Sequence, residues 1–302
     1  ILTDYFLNKK FGLGKPLLYY HHPNFGYALR PNQEITRFGK KIKIDKYGSR
    51  SNFINKDQSK ILFFGDSVVY GGRIVSNSEL FSELTCNNLE KTNSCLNFGT
   101  NAYGVENVTR RINQNNENYK NDFIIVSFNL NTLKRGVSKI SGQPFFNKPI
   151  DGKFKATKEI FLRFLDTQRL KYRYTQTNKL NWEEYDKYLY NKNGKIKDSI
   201  LSYYTSVLDD LLYLVNSRFD DYLIIINFSE KNKNDKNETN KLISLMKKYD
   251  YNKVLILKEQ FENNDINISK IFDDHVHFNK YGHKIVANII AKYLKENYEK
   301  FN

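Results

Sequence analysis

Apolar runs of four to seven residues recur along this chain, separated by stretches whose apolar positions follow a helical period. Residues 61–64, Ile-Leu-Phe-Phe, are apolar without alternation and predict a strand buried on both faces. A helix is expected over 79–89, a short strand over 95–98, a helix over 105–115 and a strongly apolar strand over 122–128. The pattern then fades. Residues 136–198 carry Pro144 and Pro149, a helical stretch near 158–170 and an aromatic, polar run near 181–190, and read as an insertion. Regularity returns with a helix over 199–216, a strand over 221–228, a helix over 239–249, a strand over 254–257 and an amphipathic helix over 281–297. Alternating strands and helices predict an α/β fold, three layers deep, with a central five-stranded parallel sheet.

Residues 1–59 do not fit that alternation. They are rich in turn signals, such as His21-His22-Pro23-Asn24 and Arg30-Pro31-Asn32. Two short β segments, 35–38 and 41–44, suggest a hairpin across Gly39-Lys40. The section is too short and polar for its own core, so it is expected to be an irregular extension packed on a main domain of residues 60–302.

Composition narrows the class. With 302 residues, 40% of them apolar, and 22 Phe plus 22 Tyr, the chain has the means to fill a core. Its apolar runs are too short to span a bilayer. It begins at Ile1 rather than Met, which is compatible with an upstream signal or anchor having been cut away. The formal charge of +15 is spread over an abundance of Lys and Asn and reads as solvated surface. Association with an anionic envelope surface is the functional counterpart. A nucleic-acid partner is not expected, since no zinc-finger spacing, RNA-binding signature or arginine-rich helix is present. Cys86 and Cys95 flank a turn between a helix end and a strand start. That placement allows either a disulfide in an oxidising compartment or two reduced, buried thiols.

The chemistry concentrates at two places. Gly65-Asp66-Ser67 follows the first apolar strand and precedes a helix, where α/β folds put reactive groups. A cap made by Asp66 and Ser67 is the bland alternative. Near the C-terminus, Asp273-Asp274-His275-Val276-His277 brings carboxylates and imidazoles into one loop. Asp274 lies three residues before His277, which lets the carboxylate reach Nδ1 while Nε2 points outward. A serine nucleophile needs such a base and such an orienting group. A metal site using Asp273, Asp274, His275 and His277 is the competing reading, but no cysteine or acidic cluster completes it.

Four separated blocks together resemble the SGNH (GDSL-type) serine hydrolase superfamily: Gly65-Asp66-Ser67 with Gly71, Asn97-Phe98-Gly99, Asn129-Leu130-Asn131-Thr132, and Asp274-x-x-His277. Pro31-Asn32 and Gly48-Ser49-Arg50 resemble segments that precede the first block in some bacterial members. Val69 occupies the position that a Gly-x-Ser-x-Gly elbow would give to glycine, which disfavours an α/β-hydrolase. The resemblance implies a flavodoxin-like sheet and a serine esterase or acyltransferase working through an acyl-serine, with no metal or organic cofactor. It casts Ser67 as nucleophile, His277 as base and Asp274 as its orienting acid. The Ser67 and Gly99 backbone N–H groups and the Asn131 side chain would form the oxyanion hole. The third block departs from the family's Gly-x-Asn-Asp, with Asn129 for glycine and Thr132 for aspartate, so Asn129 competes with Asn131 for the donor role.

The expected substrate is an acylated small molecule or glycan, chiefly an O-acetyl group on a cell-envelope carbohydrate outside the cytoplasm. Trp182, Tyr185, Tyr188 and Tyr190 of the insertion offer faces for sugar rings. A lipid-ester or thioester hydrolase of the same fold is one alternative. A non-catalytic carbohydrate-binding module is another.

Overall fold

The computed structural model describes residues 1–52, 60–89, 94–115, 122–129, 132–133, 146–165, 198–228 and 253–301, with 240, 242–244 and 246. The N-terminal section is not irregular. It forms helix α1 (Leu2–Phe11), hairpin β1 (Tyr19–His22) with β2 (Gly26–Leu29), and hairpin β3 (Gln33–Arg37) with β4 (Lys40–Ile44). The second hairpin turns at Phe38-Gly39 rather than Gly39-Lys40. Both tip residues have positive φ, 50° and 76°, which matches the right-handed twist of the paired strands. These strands hide their pattern because they pack onto the main domain. All four residues of β2 are buried, so no polar face alternates with the apolar one.

The alternating part begins at β5 (Lys60–Gly65). It continues with the single turn α2 (Ser67–Tyr70), α3 (Phe81–Asn88), β6 (Ser94–Asn97), α4 (Val105–Asn115) and β7 (Phe123–Phe128). Helix α5 spans 155–165, followed by α6 (Asp198–Arg218), β8 (Tyr222–Ile226), β9 (Val254–Ile256), α7 (Leu257–Asn263) and α8 (Lys280–Asn297). The five strands from β5 onward form one parallel sheet in the order β6-β5-β7-β8-β9. That is the flavodoxin-like order, whose crevice opens at the carboxyl ends of β5 and β7.

Strand periodicity divides the core in two. Leu62, Phe64, Ile124, Val126, Ile224 and Ile226 face one side and pack with Val108 and Ile112 of α4, Leu208 and Leu211 of α6, and Tyr27 and Ile44 of the hairpins. Ile61, Phe63, Ile125, Leu223 and Ile225 face the other and pack with Phe81 of α3, Phe261 of α7, and Val286, Ile290 and Leu294 of α8. The three layers follow, and each fully buried Ile or Leu contributes about 1.5–3 kcal/mol. Cys86 of α3 and Cys95 of β6 are joined in a disulfide with Cα atoms 6.0 Å apart. No described helix is long and apolar enough to cross a membrane.

Helix α8 brings a histidine into the second core layer. His283 is 1% exposed and stacks on Phe81 at 5.5 Å. Its Nδ1 accepts the Phe81 N–H (3.1 Å), which places the ring proton on Nε2, an atom with no hydrogen-bond partner. Burial, reinforced by the Arg50 charge, holds the imidazole down at about 3, below its ordinary 6.5. Below pH 6.5 the unfolded chain therefore binds a proton that the folded chain refuses until about pH 3. Stability contributed by the neutral ring is present above that window and is lost as pH falls through it, by up to tenfold in the folding equilibrium per unit. His283→Gln keeps an acceptor for Phe81 without titrating. Thermal unfolding of this variant should fall less between pH 7 and pH 4 than that of the parent; parallel curves would refute the assignment.

Candidate active site

The site is assembled at the crevice. Strand β5 ends in Gly65, where an added Cβ would lie 2.4 Å from Val69 Cγ2 and 2.5 Å from the Ser127 carbonyl oxygen. Only glycine leaves room for the chain to turn directly into α2. Asp66 caps that turn: its Oδ1 accepts the Val68 N–H (2.9 Å), and its Oδ2 lies 3.1 Å from the Thr132 hydroxyl. Asp66 is thus a buried brace, and Ser67, the next residue, is set at the carboxyl edge of the sheet. Thr132 thereby keeps a polar contact to the brace.

The partner loop is shaped by its own side chains. Asp274 Oδ1 accepts the N–H groups of Val276 and His277, both at 2.8 Å, folding residues 274–277 into a tight turn. Asp274 Oδ2 lies 2.7 Å from His277 Nδ1, and His277 Nε2 lies 2.9 Å from Ser67 Oγ. Partial burial alone would raise the Asp274 carboxyl. Hydrogen bonds from the His277 ring and from the two backbone N–H groups outweigh it and hold the group at about 2. The carboxylate therefore stays ionised at neutral pH. Asn279 closes the loop, capping α8 through Gly282 N–H (2.9 Å) and donating to the Lys270 and Phe272 carbonyls.

Both ring nitrogens of His277 are thus engaged, one by Asp274 and one by Ser67, which leaves no nitrogen for a metal. Among the described residues, no group of three or more His, Cys, Asp or Glu side chains is placed to hold a metal ion. His275 is exposed.

Gly99, expected to turn its N–H toward an oxyanion, lies in the loop that follows β6. Its N–H donates to Asn97 Oδ1 (2.9 Å), while Asn97 Nδ2 binds the Val69 carbonyl (2.7 Å) and the Ser82 hydroxyl (2.9 Å). A Cβ on Gly99 would sit 2.3 Å from Tyr70 N, so this glycine serves close packing of the loop on α2. The same loop reaches the cleft at Asn101 and Ala102, the latter in the left-handed region with φ of 61°. Asn131 lies outside the described residues. Its competitor Asn129 is buried, and its Oδ1 accepts the Thr132 N–H (3.1 Å).

Ser67 and His277 open into a cleft of about 500 Å³. Much of its wall comes from residues that sequence reasoning left out. Leu17, Tyr19, Ile35, Arg37, Phe38 and Ile42 belong to the N-terminal section, Arg73 and Ile74 to the loop after α2, and Arg163 to α5. Glu159 of α5, 0% exposed, fixes this wall. It accepts both Arg37 terminal nitrogens (2.6 and 3.0 Å), the Gly14 N–H (2.6 Å) and Arg163 Nε (2.8 Å). Arg50 fixes the other side. Its guanidinium donates to the Tyr70, Gly72 and Val75 carbonyls and to Asn77 Oδ1, and lies over the Tyr70 ring.

No family model matches this sequence, and no curated protein matches it. Among solved structures, the chain is similar to a member of the lipolytic protein G-D-S-L family from Veillonella parvula, with 14% identity and a TM-score of 0.42 over 80% of this chain and 98% of that one. It is also similar to an acetylxylan esterase from Geobacillus stearothermophilus, with 13% identity and a TM-score of 0.43 over 80% and 96%. A third is a lipase/acylhydrolase from Enterococcus faecalis, with 12% identity and a TM-score of 0.45 over 79% and 96%.

Proposed function

We propose that this chain is a serine esterase of the SGNH type, acting through an acyl-serine on O-acyl groups, chiefly acetyl, of a cell-envelope carbohydrate. The observation that carries the chemistry is the hydrogen-bonded series Asp274, His277, Ser67, with links of 2.7 and 2.9 Å. Ser67 Oγ attacks the ester carbonyl while His277 Nε2 takes its proton. Asp274 holds the ring and stabilises the imidazolium that forms. The tetrahedral oxyanion is met by the Ser67 N–H and the Asn131 amide, each such donor being worth about 3–4 kcal/mol of barrier. Gly99 is not among the proposed donors, because its N–H is engaged by Asn97. Collapse expels the alcohol, which receives the proton from His277. Water, or a second alcohol, then repeats the sequence on the acyl-serine.

Three features support the carbohydrate reading. The cleft is lined in part by aromatic side chains, Tyr19, Phe38 and Tyr70. The Cys86–Cys95 disulfide suits an oxidising compartment outside the cytoplasm. The charge of +15 favours approach to an anionic envelope polymer.

Incubation with a panel of acyl esters followed by intact-mass measurement should show one acyl group on the protein and none on Ser67→Ala. Kinetics then separate substrates. Acetylated sugars should give a higher kcat/KM than long-chain lipid esters or acyl thioesters; the reverse order would remove the carbohydrate while leaving the esterase.

A further inference from the structure

One charged group in the cleft has no part in the reaction described above. The cleft holds three guanidinium groups. Arg37 and Arg163 both donate to the buried Glu159. Arg73 is exposed and, among the described residues, has no carboxylate within ion-pair distance. It is nonetheless positioned: its guanidinium lies over the Phe38 ring, 4.5 Å from the centroid.

Phe38 is held there at a cost. Its φ of 50° lies in the left-handed region, which a bulky side chain rarely adopts. The hairpin tip is tied down by the Phe38 N–H to the Phe11 carbonyl (3.1 Å), and its ring leans on Phe11 at 5.8 Å. A guanidinium resting on an aromatic face keeps its N–H edges free in the plane of the fork. That edge matches the two oxygens of a carboxylate or phosphate. On the cleft's acidic side, Asp274 is occupied by His277, and Asp273 is the other carboxylate.

We propose that Arg73, seated on Phe38, is an anion subsite, and that the substrate carries a carboxylate or phosphate oxygen group within the same cleft as its ester. This rests on the esterase reading and narrows the substrate to acylated anionic molecules. A lysine would supply the charge but not the fork, so Arg73→Lys should recover only part of the effect.

The test compares para-acetoxybenzoate with its uncharged amide. In the parent, the ratio of their kcat/KM values should favour the anion and decline with added salt. In Arg73→Gln that ratio should fall at least tenfold, with Arg73→Lys between. Replacing the carboxylate by phosphate in the same probe decides which anion is preferred. A second arm does not need turnover: para-acetamidobenzoate should bind Ser67→Ala at least tenfold more tightly than it binds Ser67→Ala with Arg73→Gln. A ratio and a Kd that both stay within twofold on loss of Arg73 would overturn the subsite. Failure of every ester to acylate Ser67 would instead overturn the esterase reading, with the binding arm still deciding the subsite.

Discussion

Ser67→Ala should lower turnover of an activated ester by roughly 10⁴- to 10⁶-fold, and His277→Ala by a comparable factor. The double variant should lose little more. The reason lies in the shared hydrogen bond of 2.9 Å. Once the hydroxyl is gone, the imidazole has no proton to take; once the imidazole is gone, the hydroxyl stays protonated. The two losses describe one event and do not multiply. Substrate affinity should change much less than kcat, since neither group gains strength before the transition state. Steady-state kinetics on the three variants would check this. Either single variant retaining near-parental turnover, or losses that multiply, would reject the assignment.

Arg50→Met should lower the melting temperature by roughly 10 °C, the equivalent of about 3–5 kcal/mol for stripping a buried charged donor from its acceptors. Arg50 is 0% exposed and is neutralised by no carboxylate among its hydrogen-bond partners. Carbonyl oxygens of Tyr70, Gly72 and Val75 surround it instead. Removing the guanidinium leaves the buried Tyr70 and Val75 carbonyls and the part-buried Gly72 carbonyl without that donor. The same carbonyls belong to the segment that follows the nucleophile's turn and carries Arg73. Activity should therefore decline below the melting transition as well, because the segment loses its anchor. Calorimetry or circular dichroism reads the first effect. A shift under 2 °C would mean that the carbonyls find other donors.

The central sheet was legible because its strands are buried on both faces. Ile61–Phe64 and Phe123–Val126 therefore read as unbroken apolar runs. Asp274 and His277 were legible because their pairing is local, three residues apart in one turn. The wall of the cleft was not. Arg37 and Glu159 meet across 122 residues, and nothing near either one announces the other. Arg50 binds backbone oxygens, which every residue possesses and no sequence singles out. The spacing Asn97-Phe98-Gly99 identifies the loop, but the local fold decides whether that N–H meets a substrate or the asparagine two residues before it. Hairpin β1–β2 escaped notice because β2 is buried at all four positions and shows no polar alternation.

The bond between Ser67 and His277 spans 210 residues of chain. During synthesis, Ser67 emerges long before His277, by roughly 10 to 40 s at ordinary elongation rates. Its turn can settle early against β6 and α3, whose residues follow within a few dozen positions. The hydroxyl nonetheless stays inert until α8 docks and brings the last loop into place. In the proposed esterase, the nascent chain thus carries a built-in delay, because the Ser67–His277 hydrogen bond forms only once that loop is in place.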